Sequence, residues 1–212
     1  ADMTPEQFAA LLDLLEARGI IPWIDLAYLG FAQGFDADCA MVRQVAARFA
    51  ECIVCVTLSK SFGIYRDRAG ALFVKTRQAD RARMHRAVSA IVRAGASHAP
   101  DHGPSVVRTI LQDQTLKALW LQELDQMRAR VAQVRTAIAE TELNDFGTQE
   151  LAYFARQSGM FSLLPLTEGQ EKALTAEHGI HVVKGGRVNV ARLGSGDIGW
   201  LIRAVQAVRA QA

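Results

Sequence analysis

The sequence predicts an α/β fold followed by a smaller α+β region, on three observations. Short apolar runs at Ile20–Leu26, Ile53–Val56 and Gly70–Val74 alternate with amphipathic helical patterns through the first part of the chain, the signature of a parallel sheet covered on both faces. From Thr115 to about Thr141, Leu116, Leu119, Trp120, Leu124, Met127, Val131, Val134 and Ile138 recur at helical spacing, giving one helix long enough to link two domains. Beyond it, short strand and helix patterns mix. The expected domains are therefore 1–128 and 129–212, with the boundary inside the long helix.

Each element has a local cause. Thr4-Pro5-Glu6-Gln7 opens a helix, with Thr4 as cap, Pro5 in the first turn and Gln7 completing a capping box. Phe8, Leu11, Leu12 and Leu15 line its apolar face and Gly19 closes it. Asp38–Phe49 and Ala82–Ala94 read as helices, and Pro104-Ser105 starts another. In the second region the expectation is a helix near Thr148–Gln157, a strand near Met160–Leu163 and a helix from Thr167. Strands near Ile180–Val183 and Val188–Ala191 and a last helix over Asp197–Ala210 complete it.

Half of the 212 residues are apolar and the formal net charge is +2, so neither nucleic acid nor an acidic surface is implied as a partner. No apolar run reaches the roughly 20 residues of a membrane span. Three cysteines, Cys39, Cys52 and Cys55, are too few for a disulfide framework and fit a reducing, cytoplasmic compartment. Cys52 and Cys55 lie in a strand-like run, where positions three apart face opposite ways. With no second Cys/His pair to complete a zinc site, they read as buried small hydrophobes. The histidines form no ligand set, and no metal is expected.

Chemistry concentrates around Lys60, in Thr57-Leu58-Ser59-Lys60-Ser61-Phe62-Gly63, with Arg68 eight residues on. A lysine flanked by an apolar strand is unusual. Its amine can condense with an aldehyde, and hydroxyls plus a guanidinium can hold a phosphate. Asp25 ends an apolar strand in Asp25-Leu26-Ala27-Tyr28-Leu29-Gly30-Phe31. Alone it reads as a turn or cap aspartate, although that edge of an α/β sheet is where ligands bind. Arg187, in Gly185-Gly186-Arg187-Val188-Asn189-Val190, reads alone as a surface partner for a carboxylate, and Phe161 as core.

Taken together, these segments resemble the fold-type I, class I pyridoxal-phosphate-dependent aminotransferases, in the aspartate/aromatic amino acid group. The resemblance implies the later part of the large PLP-binding α/β/α domain at 1–128 and the small C-terminal domain at 129–212. It implies pyridoxal 5'-phosphate as cofactor, with Lys60 as its Schiff-base lysine and proton carrier. Asp25 would pair with the pyridine nitrogen and Tyr28 with the ring oxygen, while Thr57, Ser59 and Arg68 would hold the phosphate. Arg187 would grip the substrate α-carboxylate and Phe161 pack over the substrate. Arg93 would read a distal carboxylate across a homodimer. Gly95-Ala96 stand where the family often has asparagine-tyrosine, leaving room for aromatic substrates.

The resemblance covers only the second half of such an enzyme. The expected function is amino transfer between an aromatic or dicarboxylic L-amino acid and a 2-oxo acid, by a chain that is a fragment or one partner of a split enzyme, with a separate N-terminal half. On its own this fragment would be weak or inactive. The competing expectation is a truncated module that keeps the fold and dimer surface without activity.

Overall fold

The computed structural model describes residues Met3–Gln211. Its contacts divide them into two units, Met3–Asp125 and Gln126 onward.

In the first unit, α1 (Pro5–Ala17) starts as its capping box requires: the Gln7 N–H donates to Thr4 Oγ1, and the Thr4 N–H to the Gln7 side chain. Such a cap stabilises a helix by about 1 kcal/mol. The strand β1 (Trp23–Leu26) leads to α2 (Phe35–Arg48), followed by β2 (Cys52–Thr57) and β3 (Gly70–Lys75). Leu12 of α1, Val45 of α2, Phe49 and Cys52 form the buried cluster, with Phe8, Leu15 and Ile24 packed against it. Arg48 ties the two helices at the rim, reaching Asp13 Oδ1 at 2.7 Å and Glu16 Oε2 at 2.5 Å. Lys75 donates to the carbonyls of Ala46 and Phe49, both at 2.7 Å, and so closes the end of α2.

The sheet is mixed rather than parallel. β1 and β2 run parallel, Asp25 opposite Cys55, but β2 and β3 run antiparallel, Thr57 opposite Gly70. The connection from Leu58 to Ala69 consists of turns and bends with no helix, and without a helical crossover the chain returns beside β2 in the opposite direction. The expected buried strand at Ile20–Leu26 shrinks to four residues. Ile20, Ile21 and Trp23 are exposed, Trp23 by 72%, with none of the described residues covering them. β3 likewise exposes Leu72 and Phe73.

Two further helices, α3 (Arg81–Ala96) and α4 (His102–Gln112), precede the 33-residue α5 (Gln114–Phe146). The division between the units falls within α5, between Asp125 and Gln126.

The second unit folds around one core. On α7 (Ile198–Ala210), Ile198, Leu201, Ile202, Val205 and Val208 make a buried stripe. It clusters with Val131 and Ile138 of α5, Leu174 of α6 (Glu168–His178), and Leu151, Phe154, Val188 and Val190. Thr167 and Gln170 form the capping box of α6, and Gly179 closes it in the left-handed conformation. The expected helix at Thr148–Gln157 is a 3-10 turn, Ala152–Arg156. Of the strands expected here, β4 (Phe161–Leu163) and β5 (Arg187–Asn189) pair antiparallel, with Phe161 opposite Asn189. Ile180–Val183 contributes only a single bridge, Val183 to Arg187, and Val190–Arg192 is a 3-10 turn. Two glycines in succession, Gly185 and Gly186, turn the chain between them with positive φ; a Cβ on Gly186 would overlap the Leu164 carbonyl.

Candidate active site

Because β1 and β2 are parallel, their carboxyl ends share one edge of the sheet, the edge at which α/β sheets bind ligands. β3 runs the other way, so its first residue lies at the same edge. Thr57 ends β2 there, and Ser59 and Lys60 form the turn that follows. Arg68 lies two residues before β3. Asp25 and Tyr28 flank the end of β1.

Lys60 is half-buried, and its Nζ sits 4.6 Å from the centre of the Tyr28 ring, within cation–π range. The loop bearing Tyr28 is fixed from behind by Asp38, whose carboxylate accepts from the N–H groups of Gly30 (2.8 Å), Ala32 (3.1 Å) and Gln33 (2.9 Å). Gly30 has φ +91°, and a Cβ there would come within 2.5 Å of the Leu124 side chain, which accounts for the glycine two residues after Tyr28.

The turn bearing Lys60 is held by Trp120. Its indole N–H donates to the Ser61 carbonyl at 2.7 Å, and its ring stacks on Phe62 at 4.4 Å with an interplanar angle of 11°. Phe35 meets the same indole edge-on at 5.3 Å. In the sequence Trp120 was one more apolar residue of the long helix, and Asp38 a helix start. No local pattern signals that either braces the Lys60–Tyr28 pair, since both act over distances that only the fold closes.

Ser59 is buried, and among the described residues its Oγ has no hydrogen-bond partner. A buried hydroxyl left unmatched costs about 1–3 kcal/mol, so the position calls for an acceptor from outside the chain. With Lys60 beside it and Thr57 two residues before it, that requirement fits a phosphorylated aldehyde such as pyridoxal phosphate. Arg68 is exposed, adopts φ +50°, and donates to the Tyr65 carbonyl at 3.3 Å. A left-handed backbone at a non-glycine residue marks a turn shaped by something other than local preference. Tyr65 has a raised pKa, first because burial disfavours its phenolate and then through the neighbouring Tyr28.

Asp25 is exposed rather than buried. On the same strand Trp23 donates its indole N–H to Cys55 Sγ at 3.2 Å. All three cysteines are free, and Cys52 is buried while Cys55 is half-buried, as opposite faces of a strand require. Among the described residues no group of His, Cys, Asp and Glu could hold a metal, and no helix is long and apolar enough to cross a membrane. Arg93 is exposed in the last turn of α3, a helix with no buried residue.

In the second unit, Phe161 and Arg187 come together. The register places them as diagonal neighbours on one face of the β4–β5 pair, and the Arg187 guanidinium lies 4.8 Å from the centre of the Phe161 ring. Phe161 is half-buried and Arg187 exposed.

Comparison with known proteins bears on these arrangements. The family model described as aminotransferase class I and II matches residues 1–205. The tyrosine aminotransferase of Rhizobium meliloti is 42% identical over 194 residues, covering 90% of this chain and 49% of that protein. The aspartate aminotransferase of Escherichia coli is 39% identical over 210 residues, covering 98% and 52%. A crystal structure of the aromatic-amino-acid aminotransferase of Burkholderia pseudomallei, covalently bound to pyridoxal phosphate, superposes with a TM-score of 0.91 at 34% identity, over 98% of this chain and 52% of that one. The chain thus spans about half the length of the curated relatives it matches. With its α/β and α+β units and a match over nearly its whole length, the chain belongs to the class I and II aminotransferases.

Proposed function

We propose that this chain carries the lysine-bearing part of a pyridoxal 5'-phosphate-dependent transaminase. The reaction moves an amino group between an aromatic or dicarboxylic L-amino acid and a 2-oxo acid. The observation that carries this reading is the Lys60 amine on the Tyr28 ring, next to the unmatched buried hydroxyl of Ser59. In this reading residues 1–128 are part of the large, cofactor-binding domain and 129–212 the small domain.

When bound, pyridoxal phosphate supplies an electron sink for the pair left on the substrate Cα. Lys60 Nζ anchors the cofactor and moves the proton at the substrate Cα. Asp25 holds the proton on the pyridine nitrogen, and its carboxylate is open to do so. Tyr28 donates its phenol hydrogen to the ring oxygen. Thr57 and Ser59 donate hydroxyl hydrogens to the phosphate, and Arg68 adds a guanidinium suited to it. Arg187 takes the substrate carboxylate with two parallel N–H donors, and Phe161, whose ring lies under that guanidinium, packs over the substrate. Arg93 reads the distal carboxylate of dicarboxylic substrates.

A homodimer fits α3, which leaves Ile91 and Val92 exposed beside Arg93, and three free cysteines fit a reducing cytoplasm. The same exposed surface supports the second reading, a module that assembles without catalysing.

The test separates the two. The purified chain is incubated with pyridoxal phosphate, reduced with borohydride and digested, and the peptides are weighed. The expected result is a pyridoxyl adduct concentrated on Lys60 and absent from Lys60→Ala. Equal labelling of Lys60 and of Lys75, Lys117, Lys172 and Lys184 would overturn the cofactor role and leave the assembly module.

A further inference from the structure

We propose that Arg135, on α5, is the positioning residue for the Phe161–Arg187 pair; the inference rests on the carboxylate-binding role of Arg187 proposed above.

Arg135 is 1% exposed. A guanidinium taken out of water is costly unless its donors are used, and all three of its nitrogens donate. Nε reaches the Gly159 carbonyl at 3.2 Å. Nη1 reaches the Phe154 carbonyl at 3.3 Å, Gln157 Oε1 at 3.4 Å and Ser162 Oγ at 2.7 Å. Nη2 reaches the carbonyls of Ser158 (3.3 Å), Gly159 (2.9 Å) and Phe161 (2.8 Å). Each of these acceptors is neutral, and together they belong to the single segment Phe154–Ser162 that turns into β4. Ser162 Oγ passes the link on to Gln157 Oε1 at 2.6 Å.

That segment matters because β4 and β5 are three residues each. So short a pair has little of its own to fix its register, and a slip of one residue would turn Phe161 to the opposite face from Arg187. Arg135 gathers the carbonyls before and within β4 onto α5 and thereby sets which face Phe161 occupies. The same helix holds the exit of β5, since Arg130 donates to the Ala191 carbonyl at 2.6 Å. The Phe161 ring then lies under the Arg187 guanidinium and limits the orientations of its fork.

The test reads the Arg187 guanidinium directly. In the 15N-labelled full chain at about pH 6, the Arg187 Nε–Hε signal is identified by its loss in Arg187→Lys. Its displacement by the Phe161 ring is measured against Phe161→Leu. Arg135→Lys is expected to move the signal to its Phe161→Leu position while the methyl signals of Ile202 and Val205 stay in place. It is also expected to weaken 2-oxoglutarate binding by about tenfold, or ~1.4 kcal/mol. A role confined to core stability would lower the melting temperature and leave both the signal and the affinity at wild-type values, which overturns the proposal. Should Arg135→Lys fail to fold, Ser162→Ala removes one acceptor, and a smaller displacement in the same direction is expected; no displacement overturns the proposal. If 2-oxoglutarate leaves the wild-type signal unmoved while Arg135→Lys displaces it, the carboxylate role of Arg187 fails and the positioning role stands.

Discussion

The two units solve the burial problem differently. The second draws Leu151, Phe154, Leu174, Val190, Ile202 and Val205 into one core in which each is at most 2% exposed. The first clusters Leu12, Val45, Phe49 and Cys52 between two helices and a strand, buries others such as Phe31, Val107, Trp120 and Leu124 outside that cluster, and leaves Trp23, Phe73 and Ile91 between 59% and 72% exposed. A single contiguous core favours cooperative unfolding, whereas a small cluster beside open apolar surface gives a unit that opens more easily. The proposed chemistry of Lys60 therefore sits on the less self-sufficient unit, and it depends on bracing by individual residues such as Trp120 and Asp38 rather than on bulk packing.

The largest effect that would test this difference comes from truncating one large side chain in each unit. Phe154→Ala, at 0% exposed, is expected to cost about 3–5 kcal/mol of the second unit's stability, whereas Trp23→Ala should stay within ~0.5 kcal/mol. Hydrogen exchange along the chain checks both. A comparable cost for Trp23→Ala would show that the open face of the first unit is supported after all.

Trp120→Phe sharpens the comparison within the first unit. It keeps an aromatic ring against Phe62 but strips the buried Ser61 carbonyl of its donor. The expected cost is about 1–3 kcal/mol, together with a lower share of pyridoxyl adduct on Lys60 after borohydride trapping. An unchanged adduct would remove Trp120 from the bracing of that turn.

Tyr153→Phe has the smallest expected effect. The Tyr153 hydroxyl donates to the Leu163 carbonyl in β4, and burial raises its pKa above the usual phenol value. Its contribution is thus fully present below about pH 10 and lost as pH rises through the raised value. Removing the hydroxyl should cost about 1 kcal/mol at neutral pH and flatten the alkaline loss of stability, as measured by urea unfolding across that range. A variant that loses stability with pH as the wild type does would assign the loss elsewhere.

Much of the architecture was legible because its causes are local. The capping box at Thr4, the helix start at Thr167, the final helix and the helical run of α5 are periodicities and short-range signals that sequence displays directly. The direction of β3 was not legible, because whether a strand returns parallel or antiparallel depends on the path of the Leu58–Ala69 connection. The partners of Arg135 and Glu142 were not legible either, although a signal existed: charged residues fall on the buried stripe of α5 that carries Val131 and Ile138. Each is tolerated there for the hydrogen bonds it collects, Glu142 from the Thr148 hydroxyl and the N–H groups of Glu150 and Leu151.

The amino acids alone determined which residue types could do chemistry: an amine after an apolar strand, hydroxyls and a guanidinium beside it, an arginine entering a late strand. Side-chain identity is written in the sequence, and so is its spacing along one element. Only the tertiary structure decided that Lys60 meets Tyr28 and that the Ser59 hydroxyl is buried with no hydrogen-bond partner among the described residues. It alone placed Phe161 and Arg187 on one face. Those relations arise from strand register and from helices arriving across long stretches of chain, where the closing of distance depends on packing and not on neighbours in sequence.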